Sequence, residues 1–213
     1  MLGTLEDWIY KQKLLTNKKH RIMKKLSLVI SALVLLAYGT VKADSGDDQH
    51  QVTIGINAHA LVDVESASGS SSISLSPVAP SEAGLGLDFS NAVNTDLWLN
   101  YSSIVSSNDK KNKIFAKING TLPTGVSLEL AVSDPVEGGA GRVGAPKNGN
   151  GNKITLTDSE QEVIHNIRSC YTGNNAGNGH NLTYSLKLDE ESDYGDITES
   201  SADVNIVYTI IEE

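Results

Sequence analysis

The chain has 213 residues, with 17 Lys or Arg against 26 Asp or Glu and a net charge of −9 at pH 7. Residues 1–43 hold eight of the basic and two of the acidic residues, so residues 44–213 carry a net charge of −15. Because phosphates and anionic membranes are bound by clustered Lys and Arg side chains, this charge argues against nucleic acid and membrane surfaces as partners.

A secretory signal peptide is predicted over residues 23–43. Two lysines follow Met23, an apolar run extends to Ala37, and a small-residue site ends at Ala43. This order is typical of a signal cleaved after Ala43, and the run is short for a membrane span of about 20 residues. A retained anchor helix is the alternative. Residues 1–22 precede a signal with its own methionine, so we interpret them as a mis-assigned start or an extension of the basic region.

Residues 44–213 are predicted to form one exported domain, located in the periplasm, at the cell surface or in the medium. The short, lysine-led signal is typical of bacteria. About 170 residues suffice for one domain with its own core. Cys170 is the only cysteine and cannot form an internal disulfide. The stability of the domain must therefore come from burial and backbone pairing.

The clearest periodic stretch is VTIGINAHALVDV, residues 52–64, in which every second residue is apolar. Successive side chains in a strand point to opposite faces, so this pattern places all the apolar side chains on one face. We predict one long strand over residues 52–64, or two strands separated by a bend near Gly55 or Ala58.

Further short strands are predicted between turn signals rich in Gly, Pro, Asn and Asp. They cover Ile73–Ser76, Leu85–Phe89, Leu97–Val105, Lys113–Ile118, Val126–Ser133, Lys153–Thr157, Leu182–Leu188 and Asp203–Ile211. This pattern predicts an all-β fold, a single antiparallel immunoglobulin-like sandwich preceded by the signal-peptide helix. For residues 157–169 the sequence allows two predictions. The spacing of Val163, Ile164 and Ile167 is typical of a helix, whereas Val163, His165 and Ile167 would lie on one face of a strand. Residues 134–152 are predicted to be a long glycine-rich loop.

Cys170, His180 and Asn181 are the residue types of a cysteine nucleophile with a histidine base and an orienting amide. A reactive thiol needs a cation or a helix N-terminus to lower its pKa, and the acidic chain offers neither beside Cys170. We therefore favour a buried or loop cysteine over a catalytic one. The protein is predicted not to be an enzyme and to need no cofactor.

The segment DEESDYGD is a calcium candidate through the carboxylates of Asp189, Glu191, Asp193 and Asp196. Oxygen-rich loops between strands often bind calcium, although this spacing does not match an EF-hand loop. A solvated acidic turn is the alternative. The alternative function is that of a secreted module that binds carbohydrate or calcium through this turn and the glycine-rich loops at one end of the sandwich.

The alternating stretch QVTIGINAHALVDV, the segment GTLPTGVSLELAVS and the terminal strand ADVNIVYTIIEE together resemble bacterial fimbrial (pilin-like) subunits in their layout. The resemblance implies a structural or adhesive component of the cell surface, with other copies, sister subunits or a surface glycan as partners. It also implies that Val52, Ile54 and Ile56 belong to a strand donated to a neighbouring subunit. Many such subunits have a cysteine pair, which is absent here. Pairing of this strand within its own domain is the alternative.

Overall fold

The computed structural model describes residues 3–36, 50–136, 138–189 and 194–213. The chain divides into two compact units, residues 1–54 and 55–213. The predicted cleavage site after Ala43 lies outside the described residues. The second unit contains most of the predicted domain 44–213.

In the first unit, the helix α1 (Gly3–Leu36) passes without a break through Met23. Lys and Leu, which favour helices, are frequent in it, and no Pro interrupts it. The side chains of residues 7–26 are exposed. None of the described helices combines the length and the apolar character that a membrane crossing requires.

The second unit is a sandwich of two antiparallel β-sheets, which confirms the predicted all-β fold. Six predicted strands lie close to observed ones. The strands are β1 (His59–Ser66), β2 (Val93–Ile104), β3 (Asn112–Asn119), β4 (Val126–Val132), β5 (Ala140–Gly141), β6 (Ala145–Pro146), β7 (Lys153–Thr155), β8 (Gln161–Ile167), β9 (Cys170–Tyr171), β10 (His180–Leu188) and β11 (Asn205–Glu212).

The long strand β2 organises the first sheet. On one side it pairs with β1, and on the other with β10 and β9. The sheet then continues from β10 to β4 and β7, and from β9 to β5. The second sheet has the order β11-β3-β8-β6. As a result, β1 and β11 are edge strands of different sheets, and they approach each other on one side of the sandwich.

The core lies between the sheets and is built from alternate residues of the paired strands. Its fully buried members include Leu99, Ile114, Leu130, Ile164 and Leu182. The hydroxyl groups of Tyr184 and Tyr208 form a hydrogen bond of 2.6 Å that joins β10 to β11 across the two sheets. Burial raises the pKa of Tyr184 to about 12, so this bridge stays uncharged near neutral pH.

The prediction of one long strand over residues 52–64 is wrong, because β1 begins only at His59. The break lies next to Ala58, one of the two predicted bend positions. Residues 50–58 belong to no strand, although their apolar alternation continues. Alternation therefore marks a segment that could pair, whereas a strand also needs a neighbouring backbone to bind.

The ambiguous window around Val163 is the strand β8. Val163, Ile164 and Ile167 are all buried, as a helix would also predict. These three side chains are all buried in a strand because the register between β3 and β8 is irregular and Asn166 has a positive φ of 60°. A bulge adds a residue to one strand and lets neighbouring side chains reach the same face, which imitates helical spacing.

Two other predicted strands are not formed, and three short ones were missed. The structure has no strand at Ile73–Ser76, where Ile73 and Leu75 pack against the core without pairing. Within 85–89, only Asp88 forms a bridge, to Val78. The missed strands β5, β6 and β9 have two residues each and are too short for any period. Part of the predicted loop 134–152 is held in place because β5 pairs with β9 and β6 pairs with β8.

Candidate functional site

Cys170 and His180 lie in strands β9 and β10, which both pair with β2. Both side chains are buried. Burial raises the pKa of Cys170 to about 11, so the thiol is protonated at neutral pH. A nucleophilic cysteine needs the opposite shift, because the thiolate is the reactive form.

Both ring nitrogens of His180 are occupied by groups other than the thiol. Nδ1 lies 2.7 Å from the Ser133 carbonyl oxygen, and Nε2 lies 3.0 Å from the Tyr101 hydroxyl. The Tyr101 hydroxyl also accepts a hydrogen bond of 2.9 Å from the backbone N–H of Gly144. This arrangement fits a neutral imidazole that donates from Nδ1 and accepts at Nε2. Burial lowers the pKa of His180, which favours the same neutral form.

Asn181 does not orient the histidine. Its Nδ2 group donates to the carbonyl oxygens of Thr95, at 2.8 Å, and Leu97, at 3.3 Å. The three residues predicted as a possible catalytic set therefore form separate contacts. The contacts of His180 and Asn181 join β10 to β2 and to Ser133, the residue after β4, which is a structural role.

The predicted calcium site is only partly described. Glu191 and Asp193 lie outside the described residues. The backbone N–H of Asp189 donates to the Gly125 carbonyl oxygen, and Asp196 is exposed at the end of a short 3₁₀ turn. In the part of the chain that the structure describes, no three His, Cys, Asp or Glu side chains come together as metal ligands do. Calcium binding by this turn stays a prediction.

The three predicted donor positions are among the most exposed apolar side chains of the described residues. Val52 is 66% exposed, Ile54 84% and Ile56 82%. They lie in residues 50–58, which we call the leading segment and which immediately precedes β1. Three large apolar side chains at alternate positions are costly to leave in water, so a partner that covers them would be stabilised by their burial.

One edge of the second sheet, along β11, has a row of backbone groups that pair with no described strand. The N–H of Glu213 donates to the Lys111 carbonyl oxygen, and the N–H of Ile118 points away from β11 to the Thr157 carbonyl oxygen. Given the register of β11 with β3, the odd-numbered residues of β11 therefore bond to β3. The N–H and C=O groups of Ile206, Tyr208 and Ile210 consequently face the open edge.

The side chains along this edge are apolar and only partly covered. Ile206, Tyr208 and Ile210 pack against the core but are only partly buried. No charged residue occurs from Asn205 to Ile211. Edge strands are usually protected by charges, Pro or bulges, since an apolar edge can pair with another chain. The stretch Asn205–Ile211 has no charge and no Pro.

The edge strand β1 differs because it carries such protection. His59, Asp63 and Glu65 lie along it, and the carboxylate of Asp63 accepts a hydrogen bond of 2.8 Å from the N–H of Val64. The N–H of Ala67 donates to the Asp96 carbonyl oxygen, so the odd-numbered residues of β1 bond to β2 and Val64 faces the open edge. Asp63 thus occupies a donor that an added strand would need, and β11 is the better edge for pairing.

The described residues form a two-sheet antiparallel β-sandwich with an edge strand that is uncharged from Asn205 to Ile211 and an exposed, apolar leading segment. Compared with known proteins, the chain matches no family model, no curated protein and no solved structure. The alternation of apolar residues in the sequence had indicated the leading segment. The sequence analysis missed the open edge of β11, although the uncharged run NIVYTII is a sequence signal for such an edge.

Proposed function

We propose that the protein is a non-enzymatic structural component that assembles by adding a strand from one copy to the sheet of another. The leading segment is the donor and the open edge of β11 is the acceptor. The proposal includes export through the predicted signal peptide, which would bring the protein to the bacterial cell surface. The observation that carries this proposal is the exposure of Val52, Ile54 and Ile56 outside any strand.

The spacing of the two surfaces supports their pairing. Successive members of Val52, Ile54 and Ile56 are two positions apart, as are those of Ile206, Tyr208 and Ile210. In strand addition, backbone hydrogen bonds supply affinity and alternate side chains supply specificity. A donated segment would bond to the free N–H and C=O groups of β11 and would cover its half-buried apolar row.

The donor and the acceptor are different surfaces of one chain, so their contact is heterologous. Contacts of this kind generate rings when the rotation closes and open filaments when it does not. The proposal therefore predicts a series of oligomers that grow with concentration rather than a single symmetric dimer.

The test replaces the exposed apolar donors in the full chain. We expect wild-type protein to form progressively larger species in sedimentation velocity as its concentration rises. An Ile54→Asp/Ile56→Asp variant should remain monomeric, because two charges cannot be buried along a partner's core without a large cost. At concentrations where the wild type is monomeric, the variant should have the same thermal stability, since both side chains are exposed.

The matched control is Val78→Asp/Leu85→Asp, which places the same charges at other exposed apolar positions, 51% and 60% exposed. This control should assemble as the wild type does. The proposal fails if the wild-type chain stays monomeric, or if the Ile54/Ile56 variant and the control assemble equally well.

A further inference from the structure

A cavity of about 500 Å³ lies on the outer face of the first sheet, away from the core. Its base crosses three strands in register. Leu61 of β1 and Tyr171 of β9 both lie opposite Ser102 of β2. The small serine therefore forms the floor between two large side chains.

The two walls of this trough are exposed. Leu61 is 66% exposed and Tyr171 is 54% exposed. Two strand spacings separate them, about 9–10 Å between backbones. A gap of this width between an aliphatic and an aromatic side chain accommodates one small ring. The exposed tyrosine also offers an apolar ring face together with a hydroxyl group.

Polar groups line the neighbouring row. Asp63 lies opposite Asn100, and Gly173 and Asn174 follow Tyr171 in the glycine-rich loop. Asn100 is buried and fixed, because its Nδ2 group donates 3.0 Å to the Asn175 carbonyl oxygen. This bond holds the loop over the sheet, and the loop in turn positions Asn174 at the rim.

The charged groups of the lining indicate the class of ligand. Among the described residues, the lining contains one carboxylate, that of Asp63, and no Lys or Arg. One oxygen of this carboxylate accepts from the Val64 N–H, which fixes the group in place. An anionic ligand is disfavoured here, whereas a neutral ligand with several hydroxyl groups finds acceptors, donors and an apolar ring face together. Small-ligand sites of about 300–1,000 Å³ have this combination of apolar walls and few placed polar groups.

We propose that this trough binds a neutral saccharide, with one sugar ring between Leu61 and Tyr171 and its hydroxyl groups bonded to Asp63, Ser102 and Asn174. The site is independent of the leading segment and of the β11 edge. It adds a binding activity to the structural role, and either proposal can fail without the other.

The experiment is saturation-transfer difference NMR on the full chain with free glucose, galactose, mannose, fucose and N-acetylglucosamine, each at about 10 mM. At least one sugar should receive saturation from the protein. Tyr171→Ala should weaken its binding about tenfold or more, because the stacking wall is lost. Ser102→Gln, which fills the floor of the trough, should abolish binding.

Asp63→Asn keeps an acceptor for the Val64 N–H but removes the charge, so binding should weaken severalfold. Leu85→Ala, at an exposed apolar position outside the trough, should bind as the wild type does. Unchanged melting temperatures verify that the variants fold. The proposal is overturned if none of the five sugars receives saturation, or if Tyr171→Ala and Ser102→Gln bind as well as Leu85→Ala.

Discussion

His180, which the sequence offered as a candidate base, is a buried side chain packed inside the domain. Its ring stacks on that of Tyr101, with 5.7 Å between centroids, and both of its nitrogens are hydrogen-bonded. Desolvation lowers its pKa, although Asp134 nearby acts in the opposite direction. The folded protein therefore binds a proton at His180 less readily than the unfolded chain does.

This shift predicts a pH dependence of stability. Since the folded pKa lies below the unfolded value of about 6.5, the contribution is fully present above that pH and is lost as the pH falls below it. The slope cannot exceed about 1.4 kcal/mol per pH unit from this one group. Urea unfolding between about pH 5.5 and 7.5 measures it.

His180→Phe should flatten this slope, because its ring does not titrate, even though the variant loses hydrogen bonds and overall stability. His59→Gln replaces an exposed histidine and should retain the wild-type slope. An unaltered slope in His180→Phe would show that other groups control the pH dependence.

The sequence could predict the residue types near Cys170 but not their environment. The acidic composition and the absence of a helix start at Cys170 already argued against a low thiol pKa. The contacts of His180 with Ser133 and Tyr101 depend on residues 47 and 79 positions away. Such contacts follow from strand register, which a single sequence does not contain.

Among the elements, β8 shows why periodicity alone leaves the choice between helix and strand open. Its bulge brings Val163 and Ile164 to the core together, and Asn166 takes a left-handed conformation. Asn tolerates this conformation better than most residues, whereas a β-branched side chain does not. Asn166 is the only such residue apart from glycines in the described chain.

We expect Asn166→Val to destabilise the protein by roughly 1–2 kcal/mol, because the left-handed conformation brings its Cβ too close to a carbonyl oxygen. Asn166→Gly should leave the stability nearly unchanged. Chemical denaturation measures both. Lys111→Ala is the control, since it removes the hydrogen bond from Lys111 Nζ to Asn166 Oδ1 without altering the backbone. If Asn166→Val were as stable as Asn166→Gly, the bulge would carry no strain.

The longer strands were predictable because apolar and polar residues alternate over five or more positions in each of them, with one face toward the core. The strands β5, β6 and β9 were not, since their two-residue pairings depend on close approach of the chain. Gly144 illustrates this approach, because a Cβ there would lie 2.6 Å from the His165 carbonyl oxygen. The trough between Leu61 and Tyr171 was not predictable either, because its walls come from strands more than 100 residues apart.

In the described sandwich as a whole, the edge strands β1 and β11 differ in how their open sides are protected. Charged side chains and the Asp63 contact protect β1, whereas β11 presents a partly exposed apolar row and backbone groups that pair with no described strand. The leading segment is apolar and also pairs with none of the described strands. The proposed assembly requires that these two features bind each other between copies.

Hydrogen exchange of individual backbone amides, compared between dilute and concentrated full-chain protein, tests this pairing. Concentration should protect the amides of the leading segment and those of Ile206, Tyr208 and Ile210, which face the open edge. The amides of Val207 and Thr209 already bond to β3 and should change little. Equal exchange of Ile206, Tyr208 and Ile210 at both concentrations, in a sample that has assembled, would rule out strand addition at β11.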